Sequence, residues 1–552
     1  MGDRYSRRDV LAISGAVALG GAAVTSLAPG RALAQEATPT PELLRAPEAD
    51  PQRGGMVRTA WGATTAHYDL HQGASSAVLA NVYDLLVMKN LADGLRTIIP
   101  GLATSWEIAD DGLTYTFTLR EGVTFHDGTP FSADDVAATF NRIIFPPEGM
   151  VSVYRSELGP VESVTALDST TVEFVLASPW PVFLEVLTNP ALVVYSQSYL
   201  DANDQDLRRE IAPGTGPFIV TEALPGEKFS LVRNEDYWNP ELPYIDGIEM
   251  LHVPVWTDRG TAVLTGQANL SFNVSPETWE EGATRDDIGT ARLPCLNSHT
   301  AIINNEHEPF NDPRVRRAIH LAVSKQNLVA AISATQEPVF LTTWMPAVAP
   351  YAPAEEELAT RPGYRPDKEE DIAEAKRLMA EAGYPDGFGP IDLVTASDPQ
   401  HSGINGPAVQ EELRRSLGIE SEIRLVERGL LSELYQSGDF DIIVEGAFTS
   451  NLVDPTLLWN ANLRSGASTN WSRYANEEFD ALLDQITVEA DETVRQDLFD
   501  QGIAMLDADP PFLMIGFCAH SAMWHASVKG LALEDRLFSQ FGRFETVWLD
   551  ES

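Results

Sequence analysis

Cysteine is nearly absent: Cys295 and Cys518 are the only two in 552 residues. With no C-x-x-C pair and no third cysteine, the chain has neither the ligand spacing of a zinc ribbon nor a thioredoxin-like redox motif. Lysine is almost as scarce. Six lysines stand among 38 basic residues, against 81 acidic ones, and the formal charge is -43. Such a chain repels the phosphates of nucleic acid and the anionic face of a membrane, and no basic patch with interleaved aromatics interrupts it. Beyond the first forty residues no stretch approaches the ~20 consecutive apolar residues that a membrane span requires. Catalytic signatures are missing too. No G-x-S-x-G elbow, H-E-x-x-H helix or Walker loop occurs, which removes the usual sequence grounds for a hydrolase or a nucleotide enzyme.

What is present fits an exported globular chain. The residues are 44% hydrophobic and 22% charged, and the length suffices for two to four domains. Residues 1–34 read as an address. Ser6-Arg7-Arg8-Asp9-Val10-Leu11 has the twin-arginine arrangement, residues 11–24 supply a Gly- and Ala-rich apolar stretch, and Ala32-Leu33-Ala34 offers the small residues of a cleavage site. No cysteine lies near the cut, so there is no lipobox; a periplasmic protein without a membrane anchor is expected. Residues 35–52, with Pro39, Pro41, Pro47 and Pro51, read as a flexible linker.

The chain is organised around residues 99–141. From Leu113 to Arg120 the residues alternate, with Leu113, Tyr115, Phe117 and Leu119 on one face and Thr114, Thr116 and Thr118 on the other, as a half-buried strand requires. Gly112 and Gly122 bracket it. His126-Asp127-Gly128-Thr129-Pro130 is turn chemistry, and Ser132 with Asp135 predicts a capped helix carrying Val136, Phe140 and Ile143 on its apolar side. The residues before the strand read as a loop.

Around this segment, residues 54–59 are predicted to begin the first strand, further strands are predicted near 161–176, 229–232, 246–254 and 270–273, and helices over 78–87, 179–187 and 258–266. Gly214-Thr215-Gly216 reads as a tight turn, since no lysine or third glycine makes it a phosphate loop. A second crossing between lobes is expected over 293–304. Asp312 and Pro313 then open a helix as N-cap and first residue, with Val315, Ile319, Val323 and Leu328 at helical spacing. Asp367 with Glu370 suggests a capping box for a helix over 372–382, closed by Gly383. Strands at 391–395, 421–426, 440–444 and 512–517 alternate with helices at 407–417, 476–489 and 492–508, which is an α/β lobe with a mixed sheet.

Pro100-Gly101-Leu102-Ala103, followed by Ser105-Trp106 and then GLTYTFTLREGVTFHDGTPFSADDV, resembles the shared segment of extracytoplasmic solute-binding proteins of the peptide and nickel class, family 5. The block Arg233-Asn234-Glu235-Asp236-Tyr237-Trp238 and the helix opened by Asp312-Pro313 resemble the same family further along. The resemblance implies an α/β, two-lobed periplasmic binding protein-like fold of type II, in the large cluster with an extra αβ subdomain. Lobe I is then expected from 53–84, 213–294 and 518–552, the extra subdomain from 85–212, and lobe II from 295–517. It also implies a non-enzymatic receptor without a cofactor, expected as a monomer, that closes its lobes on a peptide or other small molecule and presents it to ABC permease subunits.

The family's ligand cleft maps here onto the loop His71, Gln72, Gly73 and Ala74, and onto Phe272, Asn273, Ser298, Tyr435 and Phe448. Phe448 and Phe272 suit an aromatic-walled pocket or plain core packing equally, and His71 suits an ordinary loop histidine as well. Peptide-binding relatives place a carboxylate three residues before an acidic-Pro pair, where it meets the α-ammonium group. Here the pair is Asp454-Pro455 and the earlier position is Asn451, or Ser450 after a one-residue insertion; neither carries the charge. A non-peptide solute (oligosaccharide, opine or metal chelate) therefore stands beside a peptide, and an exported hydrolase on a similar scaffold is the alternative of another class. Glu445, on a strand expected to be buried, suits either an arginine partner or a cationic ligand. Asp134 and Asp135 lie in a first helical turn, where they complement the dipole. His67 with His71, or His520 with His525, lacks a third metal ligand at a recognisable spacing. Cys295 and Cys518 fall in segments expected to run side by side between the lobes, as a disulfide in an oxidising compartment or as two buried thiols.

Overall fold

The computed structural model describes residues 50–62, 64–74, 79–90, 97–336, 338–397, 405–445, 448–449, 452–531 and 543–550. The predicted leader, nearly all of the linker, and both Ser450 and Asn451 lie outside the described residues. In chain order the strands are β1 (Met56–Trp61), β2 (Val87–Lys89), β3 (Ile98–Pro100), β4 (Ala103–Ile108), β5 (Thr114–Leu119), β6 (Val161–Asp168), β7 (Thr171–Leu176), β8 (Phe218–Leu224) and β9 (Lys228–Arg233). There follow β10 (Gly247–His252), β11 (Leu270–Phe272), β12 (Ile288–Ile303), β13 (Val339–Phe340), β14 (Phe388–Ala396), β15 (Ile419–Val426), β16 (Ile442–Glu445) and β17 (Phe512–His525).

The two longest strands, β12 and β17, run antiparallel through the middle of one large sheet of order β15-β14-β16-β12-β17-β11-β1-β10-β9-β8, with β13 paired to β17. On one side β1 lies parallel to β10 and β11; on the other β14 lies parallel to β15 and β16. The first flank is called lobe I below and the second lobe II. The β12–β17 ladder slips between Pro294 and Ser298 and again between His299 and Thr300. Cys295 and Cys518 form a disulfide at the first slip, with Cα atoms 5.3 Å apart.

The alternating stretch becomes β5 of a separate four-stranded sheet, β4-β5-β7-β6, with Tyr115, Phe117 and Leu119 buried. Helix Ala133–Ile144 covers it, started by the predicted Ser132–Asp135 capping box. Phe174 meets Phe117, Phe140 and Phe183 at centroid distances of 5.0 to 5.4 Å, mostly edge-on, the arrangement aromatic quadrupoles favour. His126 ties this subdomain to lobe I: its Nε2–H donates to the Gly216 carbonyl at 2.9 Å while Nδ1 accepts from the Gly214 amide.

Four local expectations fail for identifiable reasons. The expected helix does not run on to 87; beyond Leu79 the described chain turns and then extends into β2. Buried Asp84 collects hydrogen bonds from Thr215, Tyr237, Trp238 and Arg543, and Val82 accepts from the Gly216 amide, so tertiary demand overrides helical spacing. A Cβ on Gly214 or Gly216 would collide with the Val82 backbone, which explains the glycines without any phosphate. The supposed loop before β5 is strand β4, recruited as its antiparallel partner. Leu328 belongs to a second helix, Lys325–Ser333, because Val323 is extended and Ser324 caps anew. Asp367 and Glu370 form no capping box. Lys368 is the N-cap of helix Glu369–Glu381, Asp367 accepts from the Glu369 amide, and Glu370 pairs with Arg365.

Candidate functional site

In open α/β sheets, ligands bind beyond the carboxyl ends of parallel strands. Here both flanks aim those ends at one place. In lobe I, β11 ends at Phe272, opposite Ala522; in lobe II, β16 ends at Glu445, opposite Thr300. Both ends therefore approach the segment where β12 and β17 slip past each other and where the disulfide sits. Asn273, just past Phe272, holds φ at +53°, a left-handed conformation that asparagine tolerates better than most residues.

On the lobe II side, the Thr300 hydroxyl donates to the Glu445 carbonyl at 2.7 Å. Glu445 shares its sheet face with Ile443, and that face is packed by Leu431, Tyr435 and Trp471. The Tyr435 ring stacks on Trp471 at 4.1 Å and 11°. Burial, then the Glu445 charge, pushes the Tyr435 phenol far above its ordinary range, so it stays a neutral donor. Glu445 is 5% exposed. One carboxylate oxygen meets Arg428 at 3.0 Å, while the other is buried with no hydrogen-bond partner among the described residues. The Tyr435 hydroxyl, Ser298 Oγ, Asn273 Oδ1 and Asn405 Oδ1 are likewise buried without partners among the described residues. Asn405 uses its Nδ2 to donate to His299 Nδ1 at 3.3 Å. Unpartnered buried polar atoms are costly, and the five on the elements at this crossing leave hydrogen-bonding capacity that suits a ligand.

The other residues singled out from sequence take different positions. His71 is fully buried. Its Nδ1 accepts from Arg142 at 2.9 Å and its Nε2–H donates to the Val193 carbonyl at 3.2 Å, while Arg142 also clamps Asp69. Burial and then the Arg142 charge hold the imidazole down to about 3, so it is neutral. For Asp69, burial pushes the carboxyl up but the Arg142 hydrogen bond and charge outweigh it. Gln72 donates to Asp69 at 2.8 Å, Gly73 closes the turn at φ +90°, and Ala74 is buried. Phe448 packs edge-on against Phe512 and Phe517. Asp454 caps helix Pro455–Asn462 through the Thr456 amide at 2.8 Å, and its other oxygen pairs with buried Arg495 at 2.6 Å. Cys295, Cys518 and His520 form the one grouping of three metal-ligating side chains among the described residues, and its two sulfurs are bonded to each other.

Trp471, Arg428, His299 and Asn405 were not foreseen. Trp471, Arg428 and Asn405 sit in a loop or at an element end, where no periodic signal exists, and His299 lies within β12 at the second slip of its ladder; only the isolated tryptophan in the polar run Thr469-Asn470-Trp471-Ser472 offered a hint.

Comparison with known proteins bears on the family and the fold. The model of the bacterial extracellular solute-binding proteins, family 5 (middle), matches residues 97–469. The chain is 28% identical over 471 residues to a protein named di/tripeptide-binding protein 2 of Pseudomonas aeruginosa, covering 80% of this chain and 84% of that one. It is also 28% identical over 483 residues to heme-binding protein A of Haemophilus influenzae, covering 81% and 84%. Among solved structures, the periplasmic binding protein DppA of Helicobacter pylori in complex with the peptide STSA superposes with a TM-score of 0.74 at 26% identity, over 91% of this chain and 99% of that one.

Proposed function

The chain belongs to the family 5 bacterial extracellular solute-binding proteins, and we propose that it is a periplasmic receptor that closes two lobes on a peptide-class solute and hands it to an ABC permease. The observation that carries this is the convergence of both lobes' parallel strand ends on one crossing, lined by buried polar atoms without partners among the described residues. Relatives named for di- and tripeptides supply the ligand class. Ligand closure biases the hinge, and the permease reads the closed form. Export through the twin-arginine route, the lobe boundaries drawn from sequence, a monomeric state and the absence of a lipid anchor belong to the same reading.

With Asn451 and Ser450 both uncharged, Glu445 is the carboxylate at this crossing with an oxygen free among the described residues, and it suits a ligand ammonium group. The alternative within the class is an amine-free solute such as an oligosaccharide, opine or metal chelate. The test is mass spectrometry of small molecules released by denaturing natively purified protein, followed by adding the compound back to refolded protein and reading its melting temperature. Peptides of roughly two to five residues are expected, with the thermal shift reduced in Glu445→Gln. An amine-free compound would remove the peptide assignment, and a released compound chemically converted on re-addition would restore the hydrolase.

A further inference from the structure

Glu185 lies in the helical turn Phe183–Val186 of the extra subdomain, yet its carboxylate serves lobe II. Its Oε1 accepts from the backbone amides of Val453 at 3.0 Å and Asp454 at 3.2 Å. These amides stand at the start of helix Pro455–Asn462, which Asp454 caps, so a carboxylate there also meets the positive end of the helix dipole. Lys89, on β2, holds the same oxygen at 3.2 Å, and both side chains are largely buried. A second observation is independent of charge. Leu452 and Val453, which follow the segment containing Phe448, are buried in the subdomain's own hydrophobic core beside residues such as Phe183 and Leu187, and Leu457 packs against the same cluster.

A surface loop of one lobe has no reason to place apolar side chains in the core of another body, or to borrow its carboxylate, unless the two bodies are held together in one functional state. We propose that Glu185, preset by Lys89, is an interlobe latch: a positioning residue that grips the start of helix Pro455–Asn462 when the cleft is closed. It rests on the receptor reading above, in that it assumes the lobes open and close. Opening breaks two charge-assisted hydrogen bonds and exposes Leu452 and Val453, so the latch favours closure without itself contacting ligand.

The test uses the chain's cysteine economy. Its only two cysteines are bonded to each other, so spin labels on cysteines placed at exposed Leu167 of the subdomain and Val488 of lobe II report one interlobe distance without interference. Distance distributions are recorded by pulsed electron resonance on protein as purified and on protein unfolded with its disulfide intact and refolded free of ligand. In refolded protein, Glu185→Gln is expected to lower the closed-to-open ratio about tenfold, the ratio change that one lost charge-assisted hydrogen bond yields, and to speed deuterium exchange at the Val453 and Asp454 amides. Lys89→Met should move the same two readouts in the same direction. Glu222→Gln, which breaks an exposed pair with Lys228, should move neither, which separates a latch from a general loss of stability. Two populations in the unaltered protein that neither Glu185→Gln nor Lys89→Met redistributes overturn the latch and leave the receptor standing. A single distance before and after ligand removal means that no hinge moves, and overturns the receptor reading with it.

Discussion

Acid should destabilise this protein through His71 in a defined window. The imidazole is buried and neutral, with Nδ1 accepting from Arg142, so a proton cannot be added without setting two cations against each other. Its folded value is about 3 against 6.5 for an exposed histidine. Because the folded value is the lower one, the unfolded chain binds the proton first; stability is complete above 6.5 and drains away as pH falls towards 3. Each pH unit in that window costs about 1.4 kcal/mol, so at about pH 4.5 His71 alone removes roughly 2.7 kcal/mol. Asp69 does not obscure this, since its depressed carboxyl titrates below the ordinary aspartate value of 3.8. The assay is urea unfolding of the intact protein and of His71→Gln at about pH 7 and about pH 4.5. The glutamine variant is expected to be less stable near neutrality, having lost part of the Arg142–His71–Val193 chain, but to lose about 2.7 kcal/mol less on acidification. Equal acid losses in the two proteins would refute the buried neutral tautomer and the packing from which it follows.

The Cys295–Cys518 bridge spans 223 residues, and chain-entropy reasoning gives about 5 kcal/mol for a loop of that size; the double serine variant should lose most of that in denaturant unfolding, and a loss under about 1 kcal/mol would contradict it. Asp454→Asn keeps an oxygen for the helix cap but leaves the Arg495 guanidinium buried without its counter-charge, so a loss of about 3 to 5 kcal/mol is expected, read by thermal unfolding. Gly216→Ala drives a Cβ into the backbone of Val82 and Tyr83 and should cost about 1 to 3 kcal/mol, whereas alanine at Gly429, where a Cβ meets nothing within 4 Å, should be near neutral.

The secondary structure was largely legible because burial leaves a period. Tyr115, Phe117 and Leu119 alternate because one face of β5 is buried, and Asp312-Pro313 opens a helix because those two residues suit its first positions and little else. What failed had its cause far away in the chain. Residues 78–87 have helical spacing, but Asp84 answers to Thr215, Tyr237, Trp238 and Arg543, none of them within 130 residues of it. The site was legible only in part, for the same reason. Phe272, Asn273 and Glu445 lie on or beside strands that the pattern already located, and Ser298 lies in the expected crossing over 293–304, whereas Tyr435 lies on helix Leu431–Ser437, which the pattern had not located. Arg428, Asn405 and Trp471 enter from loops and element ends that pairing alone brings near. His71 shows the converse: a loop histidine that local sequence leaves open becomes part of the lobe I core once Arg142, 71 residues on, is placed beside it.

The latch and the disulfide constrain how such a receptor moves. The bridge pins β12 to β17 at the first slip of their ladder, so bending must be absorbed beside that point, where the second slip at His299 and Thr300 already breaks the regular pairing. Taking an equilibrium from mostly open to mostly closed, about 1:99 to 99:1, requires roughly 5.5 kcal/mol of differential binding. A carboxylate gripping two amides supplies about 1.5 to 3 kcal/mol per charged hydrogen bond before the cost of desolvating it is subtracted. Glu185 is therefore too weak to shut the cleft alone and too strong to be without effect, and the ligand must supply the balance. Ligand affinity in Glu185→Gln should accordingly fall by about one power of ten rather than vanish. Complete loss of binding in a folded variant would mean that Glu185 touches the ligand itself, and the latch would have to be redrawn as part of the site.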